Sequence, residues 1–184
     1  MKLHNEVCVV VQARMGSERI PGKMLKPFAG TTIMDICLSK LSKSERIPKE
    51  NIYISVWEEE LKQVANNHNL NIFHRSKESA FSEGTPMTTM YEWWNKLDFK
   101  YCVLVNACAP FLKIETIEDF FELYIEQEAD GLFGVIDKKN YFWDNNGSLI
   151  TEWPEGQAVM NTKCVTETRE AAHCLYGGKM SEIG

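Results

Sequence analysis

Apolar and polar positions along this chain alternate between short solid blocks and longer periodic ones. Residues 7–11 are almost purely β-branched, the pattern of a strand buried on both faces. A loop from Gln12 to Lys23 follows. Thr31 or Thr32 then suits the N-cap of a helix that carries Ile33, Ile36, Cys37 and Leu41 on one face. Residues 51–57 predict a second strand, residues 58–67 a helix with Leu61, Val64 and Ala65 on one side, and residues 71–74 a third strand. After a polar loop over 76–85, Pro86 suits the first turn of a helix through Leu97, where its missing N–H is not needed. Residues 101–105 predict a fourth strand. Residues 114–127 predict an amphipathic helix with Ile117, Phe120, Phe121, Tyr124 and Ile125 inward, and residues 132–136 a fifth strand. This alternation implies parallel crossovers and an α/β fold, a three-layer α/β/α sandwich around a mostly parallel sheet.

From Asp137 the pattern changes. Asn145-Asn146-Gly147 predicts a hairpin turn, and residues 166–176 a helix stopped by Gly177. With no repeat, linker or low-complexity segment, the expectation is one domain over 1–184, with a core over 6–136 and a tail over 137–184. Tyr141, Phe142, Trp143 and Trp153 crowd that tail. They suit a homodimer interface or a substrate lid, because exposed aromatics need cover. Trp93 and Trp94 sit about 100° apart on a helix, so they suit core packing better than a shared base.

Composition narrows the partners. The chain has 184 residues, 44% hydrophobic and 25% charged, ordinary for one sizeable core. Its net charge of −6 gives no general attraction for a nucleic-acid backbone, so an anionic ligand needs a local basic cluster. Residues 14–26 supply one: Arg14, Arg19, Lys23 and Lys26 against the single acid Glu18. The six cysteines form no CxxC pair and several lie in apolar patterns, which points to buried, reduced thiols in a reducing compartment. Met1 to Glu6 leads straight into the first strand, and the apolar runs fall far short of the ~20 residues a membrane helix needs. The expectation is a cytoplasmic protein with no membrane or nucleic-acid partner.

The loop after the first strand carries the chemistry. In open α/β sheets, ligands bind beyond the carboxyl ends of the strands, where this loop falls. Gly16 and Gly22 allow backbone N–H groups to approach phosphate oxygens. Arg14 offers a planar fork of donors, Lys23 a point charge and Ser17 a hydroxyl, while Pro21 stiffens the loop. Gly16, Gly22 and Lys23 miss the P-loop spacing by one, with Met24 where Ser or Thr belongs, and GxGxxG is absent. The absence of GxGxxG disfavours a dinucleotide-dependent oxidoreductase.

The stretch from Val10 to Gly30, which contains Gln12-Ala-Arg-Met-Gly-Ser-Glu-Arg-Ile-Pro-Gly-Lys23, resembles the opening signature of the acylneuraminate (CMP-sialic acid) cytidylyltransferases. It is similarly close to the spore-coat-polysaccharide cytidylyltransferase-like proteins. The match in element order covers about residues 6–136. The resemblance implies a Rossmann-like nucleotidyltransferase fold and transfer of CMP from CTP to the anomeric hydroxyl of an acidic, nonulosonic-acid-like sugar. Pyrophosphate is released, with Mg²⁺ present. It also implies nucleotide contacts from Ala13, Arg14, Gly16, Ser17, Gly22, Lys23 and Arg75, with Arg14 and Lys23 acting on the triphosphate. Asn106 takes the place of a family glutamine near the sugar or base, and Thr85 belongs to a Thr/Ser-rich loop, Ser82 to Thr85, near the sugar. On the residues alone, Arg75 reads equally as an exposed loop residue and Asn106 as a strand-end turn residue.

The chain departs from the family at its acids. Ala107 and Cys108 stand where a sister family has an acidic metal ligand, Trp57 stands where the family often has Asp, and Met24 replaces Asn. The metal ligands are therefore unassigned. Asp130, Asp137 and Asp144 are candidates by elimination, each also readable as a solvated acid, and His173 is as readily structural. A catalytically inactive nucleotide- or partner-binding protein of the same fold is the alternative.

Overall fold

The computed structural model describes residues 1–81 and 84–182. Strand β1 (Val7–Gln12) lies between β4 (Ile52–Val56) and β6 (Tyr101–Val105) and runs parallel to both, while β5 (Asn71–His74) extends the sheet beyond β4. With β7 (Gly131–Lys138) and β8 (Thr168–Lys179), the order is β5-β4-β1-β6-β8-β7. The chain divides into two compact units, Met1–Leu132 with the residues from Cys174 onward, and Phe133–His173.

In the first unit, β1 is buried on both sides, as its unbroken apolar run predicts. Val7, Val9 and Val11 join the main core, and Cys8 and Val10 join a smaller one on the opposite face. The main core is built with helices α1 (Ile33–Leu41), α2 (Glu59–Asn67) and α4 (Ile114–Glu126). Met34, Leu38, Leu61 and Phe121 are fully buried in it, and truncating such a side chain to alanine costs about 2–5 kcal/mol. Helix α4 buries the predicted set, Ile117, Phe120, Phe121, Tyr124 and Ile125. Helix α1 starts at Thr32, whose Oγ1 accepts the Asp35 N–H at 3.1 Å.

Before α1, β2 (Pro27–Phe28) and β3 (Thr31–Thr32) form a small hairpin with no counterpart in the sequence expectation. It turns through Ala29 at φ +50° and Gly30 at φ +82°, two consecutive left-handed residues of the kind a tight hairpin needs.

The helix expected over 86–97 is broken. Only Met87–Met90 (α3) is α-helical, because Tyr91 adopts φ −104°, ψ 36°, and a 3₁₀ turn over Glu92–Asn95 follows. The break sends Trp93 into the smaller core and leaves Trp94 half-buried against it. Packing is thus the role of this pair, as expected.

The helix expected over 166–176 is instead strand β8. Residues with good local helix propensity are captured by an antiparallel ladder on β6, from Tyr101 opposite Lys179 to Val105 opposite Leu175. Gly177 is no helix stop: a Cβ there would lie 3.0 Å from the Tyr124 ring, so glycine lets the strand pass without displacing the ring.

The second unit is built on the predicted hairpin. Trp143 bridges Leu149 antiparallel, Gly147 turns at φ +82°, and Asp144 Oδ1 accepts the N–H groups of Asn146 and Ser148. Tyr141 is buried beneath the rings of Trp153 and Trp143, with centroids 5.2 and 6.2 Å away.

All six cysteines are free. Burial pushes Cys37 and Cys102 up to about 12 and raises Cys8 further, so these thiols are inert at neutral pH. Cys108 and Cys164 are exposed, which corrects the expectation of buried thiols for these two. Among the described residues, no helix is long and apolar enough to cross a membrane.

Candidate functional site

The loop after β1 leaves the sheet where neighbouring crossovers diverge, towards β4 on one side and β6 on the other. That switch point is the usual ligand crevice of an open α/β sheet. Ala13 extends the strand by donating its N–H to Ser55 O at 3.1 Å and is buried. The chain then folds on itself: the Ser17 and Gly22 N–H groups both reach Met15 O, at 2.8 and 3.1 Å. Gly22 sits at φ +66°. Its amide is thus spent on the loop's own turn.

A cleft of about 490 Å³ opens over the loop. Ala13, Arg14, Ser17, Lys23, Arg75 and Asn106, all named from the sequence, line it, and Arg19 adds a further cation. Gly16, Gly22 and Thr85 are not among its lining residues. Ser82, which the resemblance put in the same loop as Thr85, lies outside the described residues. Gln12, Phe81, Met90 and Tyr91 also line it and were not anticipated.

Arg75 is buried, not an exposed loop residue. Its Nε donates to Ser79 Oγ at 2.8 Å, and Nη2 donates to Ser79 O and, at 3.1 Å, to Met90 O. Nη1 is buried and has no hydrogen-bond partner among the described residues. Burial pulls this guanidinium down to about 10, opposed by the Glu58 and Glu92 carboxylates and assisted by Arg14, so it remains charged at neutral pH. Arg14 Nη1 meets Ala80 O at 3.5 Å, so one short segment holds both arginines at the cleft.

Glu92 fastens that segment by accepting the Ser76 N–H and the Lys96 ammonium, the latter at 2.6 Å. Burial pushes its carboxyl up, but the hydrogen bonds from Lys96 and Ser76 outweigh it and bring it down to about 2.

Asn106 is a strand-end turn residue that also lines the cleft. Its Oδ1 accepts the Cys108 N–H at 2.9 Å, closing the turn after β6. Gln12, at the end of β1, accepts a 2.8 Å hydrogen bond on Oε1 from Trp93 Nε1. The two residues are 81 positions apart, and no local pattern announces the contact.

Among the described residues, no group of three or more His, Cys, Asp or Glu is placed to hold a metal ion. Glu18 is the one carboxylate among the described residues that line the cleft. Asp130 pairs with Lys179 at 3.8 Å, Asp137 with Arg169 at 3.6 Å, and Asp144 caps its hairpin. His173 is exposed, in β8 at φ +53°.

A family model described as Cytidylyltransferase matches residues 8–172. The chain is 30% identical over 134 residues to the spore coat polysaccharide biosynthesis protein SpsF of Bacillus subtilis, covering 68% of this chain and 52% of that protein. It is 25% identical over 154 residues to N-acylneuraminate cytidylyltransferase A of Danio rerio, covering 79% of this chain and 34% of that one. It is 28% identical over 160 residues to the 3-deoxy-manno-octulosonate cytidylyltransferase of Francisella philomiragia, covering 72% and 59%. The alignments thus span between about a third and three fifths of these relatives. Among solved structures, a CMP:2-keto-3-deoxy-manno-octonic acid synthetase complexed with CTP superposes with a TM-score of 0.69 at 10% identity, over 97% of this chain and 76% of that one. A cytidylyltransferase from Leptospira borgpetersenii gives 0.60 at 17% identity, over 97% and 62%. These likenesses establish the α/β nucleotidyltransferase fold.

Proposed function

Because the chain belongs to the cytidylyltransferase family, we propose that it binds CTP in the cleft over the β1 loop and transfers CMP to an acidic sugar of the nonulosonic-acid kind, in the cytoplasm, for surface polysaccharide synthesis. The observation that carries this reading is the gathering of Arg14, Arg19, Lys23 and Arg75 around one cleft at the switch point of the sheet, in a chain whose net charge is −6. Arg14 and Lys23, with Ser17, hold the triphosphate. In the reaction the sugar hydroxyl oxygen bonds to the α-phosphorus as the bond to the β-phosphate bridging oxygen breaks. Its proton passes to solvent and pyrophosphate leaves. Fixed cations at the cleft stabilise the charge that grows on the α-phosphate and leaving group. Asn106, at the end of β6, offers its amide to the sugar or base, and Thr85 is assigned to the sugar by the resemblance alone.

No step is assigned to Mg²⁺. A requirement for it rests on the family likeness and on the habit of Mg²⁺ of arriving with substrate phosphates. The test is a panel of acidic sugars with CTP, with and without Mg²⁺, scored for pyrophosphate. Release with none of them, alongside measurable CTP binding, would favour the second reading, a nucleotide- or partner-binding protein without catalysis. The cleft's single carboxylate among described residues motivates that reading. For the unit over residues 133–173 we propose a homodimer contact, supported by the exposure of Phe133, Val135, Ile136, Phe142, Trp143 and Trp153.

A further inference from the structure

Gln12 stands at the end of β1 on the cleft wall, and its carboxamide has one chemically allowed orientation. Indole Nε1–H is a donor only, so the atom it meets at 2.8 Å is the amide oxygen. The amide nitrogen, with two N–H groups, then lies on the other side of the carboxamide. It makes no hydrogen bond among the described residues, and Gln12 lines the cleft. Trp93 is 2% exposed and fixed in the smaller core, with Tyr91 packed edge-to-face against it at 5.9 Å between centroids. Tyr91 and Phe81 also line the cleft and give it an apolar wall beside the amide. A flat heterocycle bearing acceptors suits such a wall, since bases stack on aromatic faces.

We propose that Gln12 is a specificity-determining residue that reads the pyrimidine edge of the nucleotide, with Trp93 as the positioning residue that fixes which end of the amide faces the base. This inference rests on the cytidylyl-transfer reading. Cytosine presents two adjacent acceptors, the ring N3 and the O2 carbonyl, to an amide N–H donor. Uracil keeps O2 but carries N3–H, a donor that faces the Gln12 donor without a partner. A free glutamine would answer by flipping its amide to offer oxygen. Gln12 cannot do so without surrendering the Trp93 hydrogen bond and leaving a buried indole N–H unpaired, a penalised state. Discrimination between the two pyrimidines is thus a property of the pair.

Glu at position 12 still accepts from Trp93 but turns an acceptor to the base. Phe at position 93 keeps most of the packing and releases the amide. Binding of CTP, UTP and inorganic tripolyphosphate to the wild type, Gln12→Glu and Trp93→Phe, followed by calorimetry, tests the proposal without requiring turnover. The wild type is expected to prefer CTP over UTP by about ten- to a hundredfold. Gln12→Glu should abolish or reverse that ratio, and Trp93→Phe should bring it close to one. Tripolyphosphate affinity should fall with Gln12→Glu by no more than a new negative charge near phosphates explains, and stay unchanged with Trp93→Phe. If the wild type prefers CTP and Gln12→Glu keeps the preference, the role of Gln12 is overturned while the cytidylyl reading stands. If the wild type binds CTP and UTP alike, or binds neither, both are overturned. Should Trp93→Phe fail to fold, Gln12→Glu decides alone, since it leaves the core untouched.

Discussion

The Glu58 carboxylate accepts the Met15 backbone N–H at 2.7 Å, so the residue that precedes α2 anchors the start of the cationic loop after β1. Its second oxygen is buried with no hydrogen-bond partner among the described residues, as is Arg75 Nη1 nearby. Glu58→Ala should release the loop's first turn. Loss of one hydrogen bond to a charged group corresponds to about 1.5–3 kcal/mol, or roughly ten- to a hundredfold in affinity for a ligand that needs the ordered loop. Glu58→Gln, which keeps an acceptor for Met15, should recover most of that loss. CTP titration of both variants checks it, and equal affinities for Ala and Gln would contradict the anchor.

Lys23→Ala and Arg14→Ala should each weaken CTP binding about ten- to a hundredfold while leaving the melting temperature nearly unchanged. Both line the cleft, and neither belongs to the main core. Unchanged affinity in both variants would remove their phosphate role.

Acid should loosen the wall that carries Arg75. Glu92 is held at about 2 in the folded chain, below its ordinary 4.5. A depressed carboxyl contributes stability that is present above about pH 4.5 and lost as pH falls towards about 2. Glu92→Gln should therefore flatten stability across that window and lower it at neutral pH. Urea titrations at several pH values would read both, and an unchanged acid limb would exclude Glu92 as its source.

Gly177→Ala should destabilise the first unit. The new methyl would meet three carbons of the fully buried Tyr124 ring at 3.0–3.1 Å. Overpacking of this kind costs about 1–3 kcal/mol. A melting temperature equal to the wild type would mean that the ring yields freely.

Light scattering at micromolar concentration should report a dimer, not the 21.2 kDa of one chain. Polar residues at Trp143 and Trp153 should dissociate it and spare CTP binding. A monomeric wild type would refute the contact. Loss of nucleotide binding together with the dimer would tie these aromatics to the nucleotide-binding fold.

Much of the fold was legible because its signals are local. The run over β1 and the helical spacing of Ile117, Phe121 and Tyr124 each state their own burial. Strand β8 was not legible, since its conformation is decided by a partner, β6, some seventy positions earlier, against its own helix propensity. The cations of the cleft could be read because they cluster along the chain. Arg75 stayed ambiguous until burial among Ser79 and Met90 was seen, and the link from Trp93 to Gln12 joins residues with no sequence signature for each other.

Cys108 gives the cleft a chemical handle. Its thiol is exposed on the same wall as Asn106, whereas Cys8, Cys37 and Cys102 are buried. Cys164, exposed in the unit over residues 133–173, provides an internal reference for reagent access. A maleimide or a small disulfide should label both, and a molecule that fills the cleft should slow Cys108 while leaving Cys164 at its own pace. The ratio of the two labelling rates then measures occupancy directly, so candidate sugars and nucleotides can be ranked before any turnover is detected and without a fluorescent analogue.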